Sequence, residues 1–378
     1  MKGPQDLSVL HIGPGKYRPL DRSHVTYGIW RELASGFRTY NIVGRSSAKP
    51  AEWSDGNLHI RLVRSLFGRE AEFLLTQFVG LRRMLRIKPD VIVCQSPALG
   101  GLAALAIARR SQSRTLMELH GMEFFARARF GSRLWLLQRI SRFALNRADR
   151  IRVLSAGMRE ALARFYGEHL LGRTTVLPPR VDTSRFAKSD DSLPQSGTLR
   201  VAMVAAVNEN KGQLRLIRAL TSAPFPIELH LAGDGPDVEG CRDAADSLAP
   251  ANSLLEVHIH GRVAHSEVAD LLRDCDLLVM YSRTEATPRA ILEAMASGLP
   301  VVTTNAGFCA DIVENEVEGF VLGNNPDKEI VGVLRRFDED RGLLSRMGAA
   351  ARARARRDFD SVRLFDDYRR LIAETANA

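Results

Sequence analysis

The sequence predicts an α/β protein built from two doubly wound, Rossmann-like domains facing a cleft. Two observations carry this. Short β-rich runs alternate with longer helical patterns, which implies parallel strands joined by crossover helices. The alternation stops once, over residues 178–197, and then restarts. That segment holds Pro178, Pro179, Pro194 and Gly197 among several charges, the composition of a linker. A length of 378 residues with 45% hydrophobic content suits about two domains.

In the first half, LSVLHIG (7–13) reads as a strand leading into a loop with Gly13, Pro14, Gly15 and Pro19. VTYGIWRELASG (25–36) reads as a helix ended by Gly36. Strands follow at 39–44 and 89–95, a helix at 99–110, and the strand RTLMELHG (114–121), which carries His120 at its C-terminal end. An amphipathic helix covers 132–148, a strand 149–155 and a helix 156–167, before TTVLPPRVD closes the half.

After the linker, strands are expected at 198–207, 227–233, 255–261, 276–282 and 299–305, with helices at 212–222, 265–275 and about 288–297. A loose capping box is placed at Ser266, ahead of Ala269 and Asp270. The tail from about 340 is helical. The expected division is a domain at 1–180, a linker at 181–197, a second domain at 198–355, and a C-terminal helix at 356–378 packing back on the first domain. Ligands of such sheets bind beyond the carboxyl ends of the strands, and the cleft between the domains is the expected site.

Net charge is +9, unevenly placed. Residues 1–190 hold 32 Lys/Arg against 15 Asp/Glu, a net of +17; residues 191–378 hold 21 against 29, a net of −8. Arginines are dense from Arg127 to Arg152. A basic face of this kind attracts anionic lipid or phosphorylated substrate, or is simply a solvated surface; nucleic acid is not an expected partner. No apolar run approaches a membrane span and no signal-peptide pattern is seen, so a cytoplasmic protein is expected. Cys94, Cys241, Cys275 and Cys309 form no C-x-x-C pair, which argues against a disulfide framework or zinc knuckle.

The stretch EATPRAILEAMASGLPVV (285–302) sets two glutamates eight residues apart, one at a helix mouth and one mid-helix. Pro288 suits the first helical turn and Gly298 the end. Three readings compete. Glu293 pairs with Arg289 one turn earlier. Or Glu285 and Glu293 are a glycosidase pair, which the rise of about 12 Å over eight helical residues fits poorly. Or the helix N-terminus receives a ligand diphosphate, with Glu293 holding ribose hydroxyls and Glu285 a sugar.

E-x7-E ahead of A-M-A-x-G-x-P-V-V resembles a hallmark of the GT4 retaining glycosyltransferases, which have the GT-B fold. MVAAVNENKGQLRLIRAL (203–220), HLAGDGP (230–236), LRDCDLLVMYS (272–282), ADRIRVLSAGMREAL (148–162) and VLPPRVDTSRF (176–186) resemble further stretches of that family, in its order. The likeness is strongest from about 148 to 322. It implies transfer of a sugar from a nucleotide-sugar donor to a saccharide or lipid-linked saccharide acceptor, in cell-envelope or exopolysaccharide synthesis. The donor is a co-substrate, and no cofactor or metal is expected. The enzyme would lie peripherally on the inner face of the cytoplasmic membrane, with an anionic membrane surface as a further partner.

By the same resemblance, Glu293 binds the ribose, Glu285 contacts the donor sugar, and Lys211 neutralises the leaving diphosphate. Gly212, Ala286, Thr287 and Arg289 line the donor site. Gly13 and Gly15 belong to a loop facing the reaction centre, and His120 matches a histidine near the donor sugar or is a hydrogen-bonded loop residue. The family often carries G-R-L before the lysine loop; here Ala205, Ala206 and Val207 stand there, with Arg283 and Arg289 as the cations to compensate.

Other motifs are weaker. His258 and His260 share a strand face but lack a carboxylate or third ligand at useful sequence spacing. No G-x-S-x-G or phosphate-binding G-x-x-x-x-G-K-[ST] is present. Two rival functions remain: a sugar-nucleotide epimerase of the same fold, and a non-catalytic nucleotide-sugar-binding subunit.

Overall fold

A computed structural model describes residues 2–17, 25–46, 49–64, 86–126, 129–187, 197–248 and 254–378. The chain divides into two compact units, Met1–Pro178 with Arg363–Ala378, and Pro179–Val362.

In the first unit, β1 (Ser8–Tyr17), β2 (Thr39–Ser46), β3 (Ala51–Asp55), β4 (Leu58–Arg64), β5 (Val91–Cys94), β6 (Arg114–Glu118), β7 (Arg150–Val153) and β8 (Thr174–Val176) form one sheet. Its order is β3-β4-β2-β1-β5-β6-β7-β8. Among its described strands only β3 runs antiparallel, against β4. That hairpin is absent from the sequence reading, although Asp55-Gly56 between alternating apolar residues is a hairpin signal. Helices α1 (Val25–Ala34), α2 (Leu99–Ser111), α3 (Arg133–Arg147) and α4 (Ala156–Tyr166) accompany the sheet. Ser132 and Ser155 cap α3 and α4 by accepting from Trp135 and Met158 amides.

In the second unit, β9 (Leu199–Val204), β10 (Ile227–Ala232), β11 (Leu255–Gly261), β12 (Leu277–Met280), β13 (Val301–Thr304) and β14 (Gly319–Leu322) form a parallel sheet in the order β11-β10-β9-β12-β13-β14. Its helices are α5 (Gln213–Leu220), α6 (Val238–Leu248), α7 (His265–Asp274), α8 (Arg289–Ala296), α9 (Cys309–Ile312), α10 (Pro326–Glu339) and α11 (Arg341–Asp358). Alternate residues of each strand feed two cores: Val201, Met203 and Val279 enter one, Ala202, Leu278 and Met280 the other. α8 is made of good helix formers and is buried from Ala290 through Ala296, which fixes it firmly behind the loop it follows.

The last helix, α12 (Ser361–Ala376), buries Leu364, Phe365, Tyr368, Leu371 and Ile372 in the core of the first unit, with Leu7, Trp30 and Tyr40. Residues 179–187 go with the second unit, where Phe186 is buried and Val181 bridges to Asp360. The rest of the expected linker, 188–196, lies outside the described residues, as do Pro19 and Arg127.

Three local expectations are corrected. Gly13–Gly15 is not a loop: β1 continues through it, and the register against β2 shifts between Ile12 and Lys16. Pro288 stands just before α8, at φ −70° and ψ 126°, so the helix starts at Arg289. The N-terminus of α7 is capped from Glu267, whose carboxylate accepts the Ala264 amide at 3.1 Å, and not from Ser266.

Among the described parallel strands of each sheet the order reverses once. The reversal lies between β1 and β5 in the first unit and between β9 and β12 in the second. Such switch points open a crevice at the carboxyl ends of the two strands.

Candidate donor site and its neighbours

The crevice of the second unit is built from the loops after β9 and β12. Asn210 staples them together. Its backbone carbonyl accepts the Arg283 amide at 2.7 Å, its side-chain oxygen accepts the Thr284 amide and hydroxyl at 3.1 and 2.7 Å, and its side-chain amide donates to the Thr284 carbonyl at 3.1 Å. Gly212 starts α5 in a left-handed conformation, and a Cβ there would lie 2.7 Å from the Tyr281 carbonyl oxygen. The preceding Lys211 is held by its amide, which donates to the carbonyl and the side-chain oxygen of Asn208 at 3.0 and 3.1 Å.

This geometry brings Lys211 and Glu285 together although 74 residues separate them: the ammonium donates directly to Glu285 Oε1. The Ser282 hydroxyl donates to the same oxygen at 2.6 Å, and the Ser282 carbonyl in turn accepts the Thr304 hydroxyl at 2.6 Å. A buried carboxylate is thus paired and hydrogen-bonded, as burial demands. Ala286 and Thr287 are half-buried in the loop between Glu285 and α8.

Glu293 points from the middle of α8 to a different partner. His265, the first residue of α7, meets its Oε1 at 2.9 Å through Nε2. Arg289 lies farther, at 3.7 Å, and its side chain is 53% exposed. The expected Arg289–Glu293 pair is therefore the weaker of two contacts, and an i,i+4 pair at such exposure stabilises little. Phe186 packs edge-on against the His265 ring at 5.8 Å. Arg283 pairs with Glu209.

The glycines of HLAGDGP are steric necessities. A Cβ on Gly233 would lie 1.8 Å from the Ala205 carbonyl oxygen, and one on Gly235 2.1 Å from that of Val207. The segment after β10 therefore runs directly against the loop that leads to Lys211.

In the first unit, Glu118 ends β6 fully buried, and its two oxygens are divided between two partners. Oε1 accepts from Arg152 at 3.0 Å and Oε2 meets His120 Nε2 at 3.0 Å. Burial opposes its ionisation, but Arg152 and His120 outweigh it and hold the carboxyl well below its usual range. Arg152 also donates to the carbonyls of Leu177 and Pro178 at 3.0 and 3.2 Å, and its guanidinium covers the Tyr368 ring at 4.8 Å. His120 is thus oriented by a buried carboxylate and remains partly exposed.

Beside it, His11 Nδ1 meets the Tyr40 hydroxyl at 2.7 Å. Burial lowers the His11 pKa to about 4, which Glu118 only partly offsets. The unfolded value of 6.5 is higher, so the stabilisation is complete above pH 6.5 and is lost as the pH falls to about 4. It amounts to about 3 kcal/mol. In urea unfolding at pH 7 and pH 5, His11→Gln is expected to shrink the wild-type drop in stability by a large part of that amount. An equal drop in both proteins would refute the assignment.

Sequence reasoning does not single out Ser282, Thr304, Asn210, His265 or Glu118, and it counts Arg152 in a basic face, whereas the structure buries Arg152 against Glu118. None belongs to a spaced motif; each is found only through a partner distant in sequence. All four cysteines are free and buried. Burial pushes the Cys94, Cys275 and Cys309 thiols up to about 12, so they are inert as nucleophiles.

Comparison with known proteins places this arrangement. The sequence profile of the group 1 glycosyl transferases matches residues 184–354, and that of glycosyltransferase family 4 matches residues 31–185. The chain belongs to the family 4 glycosyltransferases. Lys211, Glu285 and Glu293 fall within the first match, His120 within the second.

Among curated relatives, the chain is 27% identical over 288 residues to a sulfoquinovosyl transferase of Arabidopsis thaliana, covering 72% of this chain and 54% of the relative. It is 27% identical over 298 residues to a GDP-mannose-dependent phosphatidylinositol monomannoside mannosyltransferase of Mycobacterium tuberculosis, covering 72% and 73%. The chain thus spans about half the length of the first of these. Among solved structures, Anabaena HepE in complex with UDP and glucose superposes with a TM-score of 0.75 at 19% identity, covering 98% of this chain and all of the other. The chain therefore has the GT-B fold, two α/β domains with predominantly parallel sheets.

Proposed function

We propose that the protein transfers a sugar from a nucleotide-sugar donor to a saccharide or lipid-linked saccharide acceptor, with retained anomeric configuration, in cell-envelope or exopolysaccharide synthesis. The observation that carries this is the meeting of Lys211 and Glu285 at the switch point of the second unit, with Glu293 behind them on α8. The relatives named above act on sugars, and one is titled as GDP-mannose-dependent.

In the reaction, the bond from the anomeric carbon to the diphosphate oxygen breaks. The acceptor oxygen bonds the same face of that carbon, and the leaving phosphate takes the acceptor proton. Lys211 exchanges Glu285 for the departing diphosphate and stabilises its charge. Glu285, released from the lysine but still bonded to Ser282, orients the donor sugar. Glu293 accepts ribose hydroxyls, and the His265 contact sets its direction. Gly212, Ala286, Thr287 and Arg289 line the donor site, and Arg289, the more exposed and weakly paired cation, turns toward the phosphates. His120, oriented by Glu118, is assigned to the donor sugar, and the backbone at Gly13 and Gly15 to the reaction centre. The chemistry needs positioning and charge stabilisation from these residues; no metal ion is assigned to it.

A thermal-shift and calorimetric screen of UDP-, GDP- and ADP-sugars tests the donor site. Glu293→Ala is expected to weaken binding of the responding donor at least tenfold while the chain stays folded. Unchanged affinity would remove Glu293 from the ribose site. Acceptor-independent isomerisation of a labelled donor would establish an epimerase instead.

Among the described residues no helix is long and apolar enough to cross a membrane. We propose attachment through α3 and the loop before it. There Phe130 is 83% exposed, Leu136 and Phe143 are exposed, and Arg139 and Arg147 lie over neighbouring rings. Apolar side chains among arginines suit an anionic lipid surface. The protein is expected to sediment with phosphatidylglycerol vesicles, to be released at about 0.5 M salt, and to lose this binding on Phe130→Ser with Leu136→Ser. Equal binding to neutral vesicles would sink the proposal.

A further inference from the structure

We propose that Glu228, His230 and His258 form a binding site for one divalent transition-metal ion of the zinc class, separate from the donor crevice. The three come from β10 and the edge strand β11, which run parallel with His230 opposite His258 and Glu228 opposite Glu256. Alternation along each strand puts all these side chains on one face. Sequence spacing alone hides this, because 28 positions separate His230 from His258. The third ligand that the pair His258 and His260 lacks is supplied across the strand pair, and Glu256, on the same strand, already meets His258 Nε2 at 3.2 Å, a carboxylate that the sequence reading passes over.

One ligand atom from each of Glu228, His230 and His258 lies within 4.8 Å of the others. Ligands about 2.1 Å from a tetrahedral ion stand about 3.4 Å apart, so rotamer adjustment of about an ångström closes the site. All three residues are half-buried, which leaves them that freedom and leaves a fourth position open to water.

The neighbours prepare the ligands. His230 Nδ1 stands 3.1 Å from His260 Nε2, and its Nε2 faces Glu228 Oε2 at 3.7 Å. When Nδ1 donates its proton to His260, the Nε2 lone pair is directed toward the carboxylate. A cation between them turns that opposition into coordination, and the hydrogen bond to the other ring nitrogen fixes the tautomer. His230 also stacks on both neighbours, with ring centroids 4.8 Å from His258 and 5.4 Å from His260. Two imidazoles and one carboxylate suit Zn²⁺, Co²⁺ or Ni²⁺, whereas Mg²⁺ and Ca²⁺ prefer oxygen ligands.

The untagged full chain, stripped of metal, is titrated with ZnCl2 by calorimetry and with CoCl2 by visible absorption. The expected result is one ion per chain, a cobalt spectrum of low coordination number, and no competition from about 5 mM Mg²⁺. His230→Gln and His258→Gln should each weaken Zn²⁺ binding at least tenfold, and His260→Gln about tenfold with the stoichiometry kept. Glu228→Gln, a change at a half-exposed carboxylate, supplies the reading if a histidine variant melts early. Absence of saturable 1:1 binding, displacement by Mg²⁺, or wild-type affinity in both His230→Gln and Glu228→Gln would overturn the proposal.

Discussion

Lys211→Ala is expected to lower kcat by about 10²–10³-fold with a much smaller change in KM. Losing one preorganised donor to developing negative charge costs about that much. The prediction follows from geometry. Lys211 is fixed by two hydrogen bonds from its own amide to Asn208, and its ammonium already holds a carboxylate in the crevice. A cation held in place gains most when charge grows on the leaving diphosphate, which is a transition-state effect and falls on kcat. The segment Ala205-Ala206-Val207 supplies no second cation at the same loop, so little redundancy is available. Lys211→Arg should recover part of the rate. Steady-state transfer from the donor found in the thermal screen measures both variants. A raised KM with kcat intact would reduce Lys211 to a ground-state contact.

Arg152→Met is expected to destabilise the first unit by about 3–5 kcal/mol, because it strands a fully buried carboxylate. Arg152 is held by Glu118, by two carbonyls and by the Tyr368 ring on α12, so the substitution also loosens the C-terminal helix. Removing both charges with Arg152→Met and Glu118→Leu should recover much of the loss, since a buried pair contributes little over a well-packed apolar replacement. The pH dependence distinguishes the pair from simple packing. The Glu118 carboxyl titrates well below its ordinary 4.5 in the folded chain. Its stabilisation is therefore present above about pH 4.5 and lost as the pH falls below that value toward the folded pKa. Urea unfolding between pH 7 and pH 3 should show this slope in the wild type and a shallower one in the double variant. A single Arg152→Met variant within about 0.5 kcal/mol of the wild type would refute the assigned role.

Strands β9 to β13 are legible because parallel strands buried on both faces read as unbroken apolar runs, such as LLVM and VVTT, whereas β14, α6, α9 and α10 have no counterpart in the sequence reading. The short hairpin of β3 and β4 was less visible: Glu52 and Ser54 break any apolar run, and its register depends on the turn. Gly13 and Gly15 looked like a loop because glycine and proline usually end strands, yet β1 continues through them with a shifted register. The site was legible in part. Glu285, Glu293 and Lys211 stand in recognisable local patterns. Their partners Ser282, Thr304 and His265 do not, since a serine, a threonine and a histidine in loops and at helix starts are common everywhere.

Residue order alone therefore decides the alternation of strands and helices, the glycines and prolines that end them, and which stretch holds the paired glutamates. These are local properties, set by backbone sterics and by the burial of neighbouring side chains. Which side chains meet is decided only when strands from distant parts of the chain pair. Lys211 reaches Glu285 because β9 lies beside β12, and Glu118 finds Arg152 because β6 lies beside β7. His230 stacks on His258 because β10 and β11 pair in one register and not in another. A shift of one residue would send every one of those side chains to the opposite face, and no local pattern records that choice.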